Sequence, residues 1–215
     1  MKPAPFAYMA PDSLEAAVAA LVEHGSDAKV LAGGQSLIPV MNFRLARPAV
    51  LVDLNRIPEL DYVRRDGGAM RIGGMTRQAR VEHDPEVRRS VPLLHAAMPH
   101  VAHPQIRNRG TIGGTLAHAD PAAELPTVAV ALGGRLHVVG GRGERTVPAR
   151  DFFRGLFATA LAPDEIVTAV ELPCAAPRTG YAFLEVARRH GDYAQVGVAA
   201  RLELAPDGTC AAARL

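Results

Sequence analysis

Two short loops carry the residues best suited to chemistry in this chain: Ala32-Gly33-Gly34-Gln35-Ser36 and Thr111-Ile112-Gly113-Gly114-Thr115. Paired glycines let the backbone reach positive φ and approach a ligand with no Cβ in the way. Ser36 and Thr115 each add a hydroxyl, and successive N–H groups form a concave nest that suits an anion. Two such loops, far apart in sequence, can hold the two ends of one pyrophosphate, which points to a dinucleotide. Neither reads G-x-G-x-x-G or G-x-x-x-x-G-K-[ST], so the Rossmann and P-loop readings lose their main support.

A glycine doublet alone says little, because Gly67-Gly68, Gly73-Gly74, Gly133-Gly134 and Gly140-Gly141 are also present. Asp66-Gly67-Gly68 lies between Asp61–Arg64 and Met70–Ile72 and reads as a hairpin turn. Gly133-Gly134 follows a helix-like apolar run and precedes Arg135–Val139, the pattern of a C-cap entering a strand.

Composition narrows the function classes. With 215 residues and 48% hydrophobic content, the chain can bury a substantial core in more than one subdomain. The net charge is +2 and the arginine doublets at 64, 88 and 188 are dispersed, so no basic run offers a nucleic-acid surface. Aromatic content is 5% with no Trp, too little for a base-stacking platform. Cys174 and Cys210 form no ligand spacing, and His95, His100 and His103 have no carboxylate or thiol to complete a set. No iron–sulfur cluster or metal is therefore expected on this chain. No apolar run approaches ~18 residues and no leader pattern opens the chain, so a cytoplasmic protein without a membrane span is expected.

The elements that must position the loops can be read outward from them. Asp12 or Ser13 caps a helix from Leu14 to about Glu23, which Gly25 closes. Lys29–Ala32 is a short strand leading into the first loop, Ser36 caps a second helix with Pro39 in its first turn, and 50–54 is a further strand. Residues 1–54 thus form a βαβ-like unit. Residues 55–173 form an α+β unit: the hairpin, Thr76 as the cap of a helix or turn, a helical stretch Pro85–Met98, and the loop His100–Gly110. The second glycine loop follows, then a helix over Ala122–Leu132 capped at Asp120, and strands at 135–139, 146–148 and 164–172. After Pro173–Pro177, strands at 181–187 and 196–204 and a return strand from Thr209 form a unit over 177–215. A sheet ending in mid-hairpin leaves an unpaired edge, so this unit is expected to be the start of a longer C-terminal α/β subdomain.

Three segments taken together resemble one family: 29–39 around the first loop, Ile106–Glu124 around the second, and Arg188-Arg189-His190-Gly191-Asp192-Tyr193-Ala194. They are similar to the FAD-binding medium subunits of molybdenum hydroxylases, such as aerobic carbon monoxide dehydrogenases and xanthine dehydrogenase-like enzymes. The resemblance implies an α+β PCMH (vanillyl-alcohol-oxidase-like) fold of two α+β subdomains, followed by a partial C-terminal α/β subdomain. Within Ala32–Leu37, the backbone of Gly33, Gly34, Gln35 and Ser36 would hold the FAD pyrophosphate. Gly110, Thr111, Gly113, Gly114 and Thr115 would complete the diphosphate site. Val101 and Ala102 would run beside the isoalloxazine, Glu124 would lie near it, and the loop of Asp192 and Tyr193 would reach it. His118 lies inside the second motif, with a place near the ring or a hydrogen bond to the loop as its alternatives. Arg107 and Arg109 could each reach phosphate or pin the loop to a carboxylate.

Gln35 stands where related flavoproteins carry a His that binds flavin covalently, so non-covalent FAD is implied. Many members carry a Lys in the strand before the arginine pair. Here the strand reads Leu184-Glu185, so the stabilisation of reduced flavin is expected to differ. The implied role is electron transfer. Electrons come from [2Fe–2S] clusters on a small partner subunit, and a large partner carries the molybdenum cofactor. The acceptor is NAD⁺, a quinone or another oxidant, and no acid, base or nucleophile is required here. The alternatives are a stand-alone FAD oxidase or dehydrogenase, using Glu124, His118 or Tyr193 as its base, and a scaffold without flavin.

Overall fold

The computed structural model describes residues 1–215. In the N-terminal part, strands β1 (Ala7–Met9), β2 (Ala28–Leu31) and β3 (Val50–Asp53) form a parallel sheet in the order β1-β3-β2. Helices α1 (Leu14–His24) and α2 (Leu37–Asn42) make its crossovers. Ser13 caps α1 by accepting from the Ala16 amide at 3.2 Å, and Gly25 ends it at φ 52°. All four residues of β3 are buried, as a strand needs when it is central and covered on both faces. The N-terminal extended segment supplies β1 as a third strand, with Met9 opposite Val52.

Strands β4 (Val63–Asp66) and β5 (Ala69–Gly73) form the expected hairpin, with Gly67 at φ 56° in its turn. Five helices follow in short steps: α3 (Gln78–His83), α4 (Pro85–Ser90), α5 (Pro92–Ala97), α6 (Pro104–Arg107) and α7 (Ile112–His118). Then come α8 (Glu124–Leu132), β6 (Arg135–Gly140), β7 (Gly143–Pro148), α9 (Ala149–Phe152), the short hairpin β8 (Phe153–Gly155) and β9 (Ala158–Thr159), and β10 (Ile166–Pro173). The antiparallel sheet runs β4-β5-β10-β6-β7. Its apolar face, including Met70, Ile72, Leu136, Val138 and Val170, belongs to one cluster of 27 buried residues with Leu94, Leu116 and Val128 of the helices. A cluster of 11 buried residues fills the N-terminal part. The last sheet is β11 (Thr179–Val186), β12 (Val196–Leu204) and β13 (Cys210–Arg214); Phe183 and Ala199 are buried in the larger cluster.

Five expectations shift. The loop expected over 100–110 contains α6, and Ser36 stands at the N-cap of α2 without a side-chain hydrogen bond. The helical stretch 85–98 is two helices, because Pro92 drives Val91 out of the α region to φ −134°, ψ 64°. Thr76 caps no helix: its hydroxyl donates to Tyr62 O at 2.9 Å and accepts from Tyr62 N at 3.1 Å. The helix expected from Ala122 begins at Glu124, since the Asp120 carboxylate takes the Ala122 amide at 2.9 Å in a turn.

Candidate cofactor site

The first glycine loop leaves β2 and enters α2. Gly34 adopts φ 73°, and the Gln35 side chain folds back to donate to Gly33 O at 3.0 Å. The amides of Gly33, Gly34, Gln35 and Ser36 donate to nothing within the chain. Gly33, Gly34 and Gln35 line a cavity of about 350 Å³ that also takes in Ile38, Asn42, Asp53, Asn55 and Arg109. A run of unspent N–H groups beside a cavity is an anion receptor.

The charges around the cavity are sorted by hydrogen bonds. Asp53 is occupied: Tyr8 donates to its Oδ2 at 2.5 Å and the Asn55 amide to its Oδ1 at 2.8 Å. Arg77 donates to Arg109 O at 2.6 Å and to Asn55 Oδ1 at 2.5 Å, and burial, then the neighbouring Arg109, lower its pKa. Arg109 is exposed and its guanidinium makes no hydrogen bond or ion pair. The cavity therefore carries one uncommitted cation.

The second loop meets the first at backbone distance. A Cβ at Gly33 would lie 2.4 Å from Arg109 O and 2.8 Å from the Gly110 Cα, and one at Gly114 would sit 3.4 Å from the Ala32 Cβ. Four of the five amides of this loop are already spent, that of Thr111 being the exception. Ile112 donates to Thr76 O at 3.0 Å, Gly113 to Gly74 O at 2.8 Å, Gly114 to Thr111 Oγ1 at 3.1 Å and Thr115 to Thr111 O at 3.2 Å. Thr115 Oγ1 accepts from Gln78 at 2.8 Å. Thr111 is thus the N-cap of α7, and Gly113 is required by close approach to Gly74.

A second group of residues gathers further along. Val101 is buried, and Ala102 holds φ 44°. The loop 188–193 lies on His103, whose ring would be 2.3 Å from a Cβ at Gly191. In that loop Asp192 pairs with Arg189 at 3.2 Å, and Tyr193 is 78% exposed. Glu124 is buried, and desolvation raises its pKa to about 7, with Glu185 and Asp120 adding to the rise. Glu185 has a buried Oε2 with no partner, and Leu184 is exposed. The His118 ring rests on Phe157 at 5.2 Å, while Phe157 N donates to Ala119 O at 3.1 Å.

Residues 4–175 match the family described as the FAD binding domain in molybdopterin dehydrogenase. The chain belongs to this family. The 6-hydroxypseudooxynicotine dehydrogenase complex subunit alpha of Paenarthrobacter nicotinovorans is 44% identical to it over 100% of this chain and 73% of the relative. The carbon monoxide dehydrogenase medium chain of Hydrogenophaga pseudoflava is 44% identical over 93% of this chain and 69% of its own. A solved carbon monoxide dehydrogenase from the same organism, lacking the Mo-pyranopterin moiety, superposes with a TM-score of 0.96 at 42% identity. The match covers 100% of this chain and 74% of that one. These relatives are dehydrogenase subunits, so this FAD-binding domain is part of an oxidoreductase.

The residues present fit a dinucleotide, because the amides at 33–36 are unspent and Arg109 is free beside them. Arg107 and Arg109 divide the two roles open to them: Arg107 pairs with Glu82 at 2.6 Å, and Arg109 is left free. Sequence reasoning missed Asn55, Gln78, Glu82 and Arg77 altogether. Apart from the Asn55–Asp53 contact, their partners lie 22 or more positions away, so no local pattern marks them. No helix is long and apolar enough to cross a membrane.

Proposed function

We propose that this FAD-binding domain is the electron-transfer subunit of a cytoplasmic molybdenum hydroxylase. It would receive electrons from [2Fe–2S] clusters on a small partner and pass them to NAD⁺, a quinone or another acceptor, while substrate is oxidised at a molybdenum cofactor on a large partner. The medium-chain and complex-subunit names of the relatives support the multi-subunit reading. The observation that carries the site is the run of free amides at Gly33–Ser36, held against Arg109–Gly110.

FAD, when bound, supplies a centre that takes up electrons singly or in pairs. This chain's residues supply the binding. Amides 33–36 and the Arg109 guanidinium hold the diphosphate, and Leu37 closes the turn into α2. Gly110, Thr111, Gly113, Gly114 and Thr115 complete the diphosphate site, with Gly110 and Gly114 backing the first loop. Gln35 has its amide turned to Gly33 O and offers no group for a covalent flavin link. Val101, Ala102, Asp192 and Tyr193 form the ring side, with Glu124 and His118 flanking it. Residues 1–54 and 55–173 act as two subdomains with the cofactor between them, and 177–215 adds the loop over the ring. No residue need act as an acid, base or nucleophile.

The test is titration of the purified, flavin-free chain with FAD and FMN, followed by flavin fluorescence. Saturable binding of FAD with much weaker binding of FMN is expected, because FMN lacks the second phosphate and the adenosine. Equal binding of both, or of neither, refutes the two-loop assignment.

A further inference from the structure

Arg107 lies 5% exposed and is fully committed. Its Nε and Nη2 donate to the two carboxylate oxygens of Glu82 at 2.6 and 2.9 Å. Its Nη1 donates to Val101 O at 2.9 Å and to Ala102 O at 3.3 Å. Two consecutive carbonyls therefore point at one guanidinium, and the bend that brings them there requires the φ of 44° at Ala102. That conformation is costly for a residue with a Cβ and persists only where the surroundings over-determine it. The bidentate pair with Glu82 supplies that constraint, since the planar fork fixes the guanidinium in one orientation.

The peptide bonds here are trans, so each N–H points opposite to the carbonyl of its own peptide unit. With the carbonyls of Val101 and Ala102 turned to Arg107, the amides of Ala102 and His103 face away from it. Neither donates to any group in the chain. His103 carries the loop that holds Asp192 and Tyr193, through the contact of its ring with Gly191.

We propose that Arg107, locked by Glu82, is a positioning residue that presents the amides of Ala102 and His103 as a donor pair to an acceptor edge of the flavin ring. This rests on the reading that FAD binds with its ring on this side. Donors at a ring nitrogen or carbonyl stabilise the electron-rich reduced form, so the clamp raises the potential of the bound cofactor.

The experiment compares the full chain with Arg107→Lys, which keeps the charge but cannot make the planar bidentate pair with Glu82 that fixes the orientation of the group. FAD and ADP affinities, the visible band of bound FAD and its midpoint potential are read for both proteins. For Arg107→Lys we expect FAD affinity to fall about tenfold with ADP affinity kept within about twofold, since ADP has no ring and reads only the glycine loops. The visible band should shift and the potential should drop. A merely structural role would weaken FAD and ADP together. That outcome, or an unchanged FAD affinity, band and potential, overturns the clamp. If Arg107→Lys fails to fold, Glu82→Gln keeps one acceptor for the guanidinium and carries the same comparison. Failure of the unmodified chain to bind FAD would instead sink the cofactor reading itself.

Discussion

Adding one methyl group at Gly33 tests whether the contact between the two glycine loops makes the binding site. A Cβ there would stand 2.4 Å from Arg109 O, 2.8 Å from the Gly110 Cα and 3.0 Å from the Arg109 carbonyl carbon. Ordinary contact begins near 3.4 Å, so the loops must part by about 1 Å, and all three neighbours are backbone atoms that cannot rotate away. Overpacking of this kind costs about 1–3 kcal/mol, which becomes about 5- to 150-fold in FAD affinity if binding requires the closed contact. Gly68→Ala is the matched control, because nothing lies within 4 Å of its Cβ. Both variants would be titrated with FAD by flavin fluorescence, with thermal unfolding recorded alongside. Gly33→Ala should bind FAD at least fivefold more weakly than Gly68→Ala, on the same estimate. If the two variants bind FAD equally well, contact between the loops does not shape the site.

Two further outcomes follow from the charges. Arg109→Gln should weaken FAD about three- to tenfold and flatten the salt dependence of binding, because the guanidinium has no partner in the chain to keep it from a phosphate; titrations at two ionic strengths would show an unchanged slope if Arg109 does not face the ligand. Glu124 gives a pH dependence of stability. Burial holds its pKa at about 7, against 4.5 for a free carboxyl, so between those values the native state keeps a proton that the unfolded chain has released. Stability therefore falls as pH rises through this window, and the burial cost is fully present above it. Glu124→Gln removes the titration, and its advantage over the unmodified chain should grow from near zero below about pH 4.5 to at most ~3 kcal/mol above about pH 7. Denaturant melts at about pH 5 and about pH 8 measure the difference, and parallel pH profiles for the two proteins would refute it.

Much of the architecture was legible because it rests on local rules. Ser13, the apolar stripe of α1 and Gly25 mark a helix from cap to cap, and the hairpin at Gly67-Gly68 is announced by its own turn residues. Strand β6 shows period-two burial that its sequence pattern mirrors. Errors fell where a distant partner overrode local chemistry. Thr76 has the type and position of a cap, yet its hydroxyl serves the backbone of Tyr62, which β5 brings back beside it.

The candidate site divides in the same way. Sequence alone determined where the glycine doublets lie and that the surroundings of two of them match one family. These are properties of residue type and order. Only the tertiary structure decided what each glycine is for. The first loop keeps its amides free, whereas the second spends those of residues 112–115 on Thr76, Gly74 and Thr111 and backs the first loop at Gly110 and Gly114. Only the fold, too, separated Arg107 from Arg109, two identical side chains two positions apart. One turns inward to Glu82 and the carbonyls of Val101 and Ala102, and the other is left in solvent beside the cavity. Hydrogen bonds are decided by which groups the packed chain brings within 3 Å of one another, and for residues 25 positions apart a one-dimensional pattern holds no record of that distance.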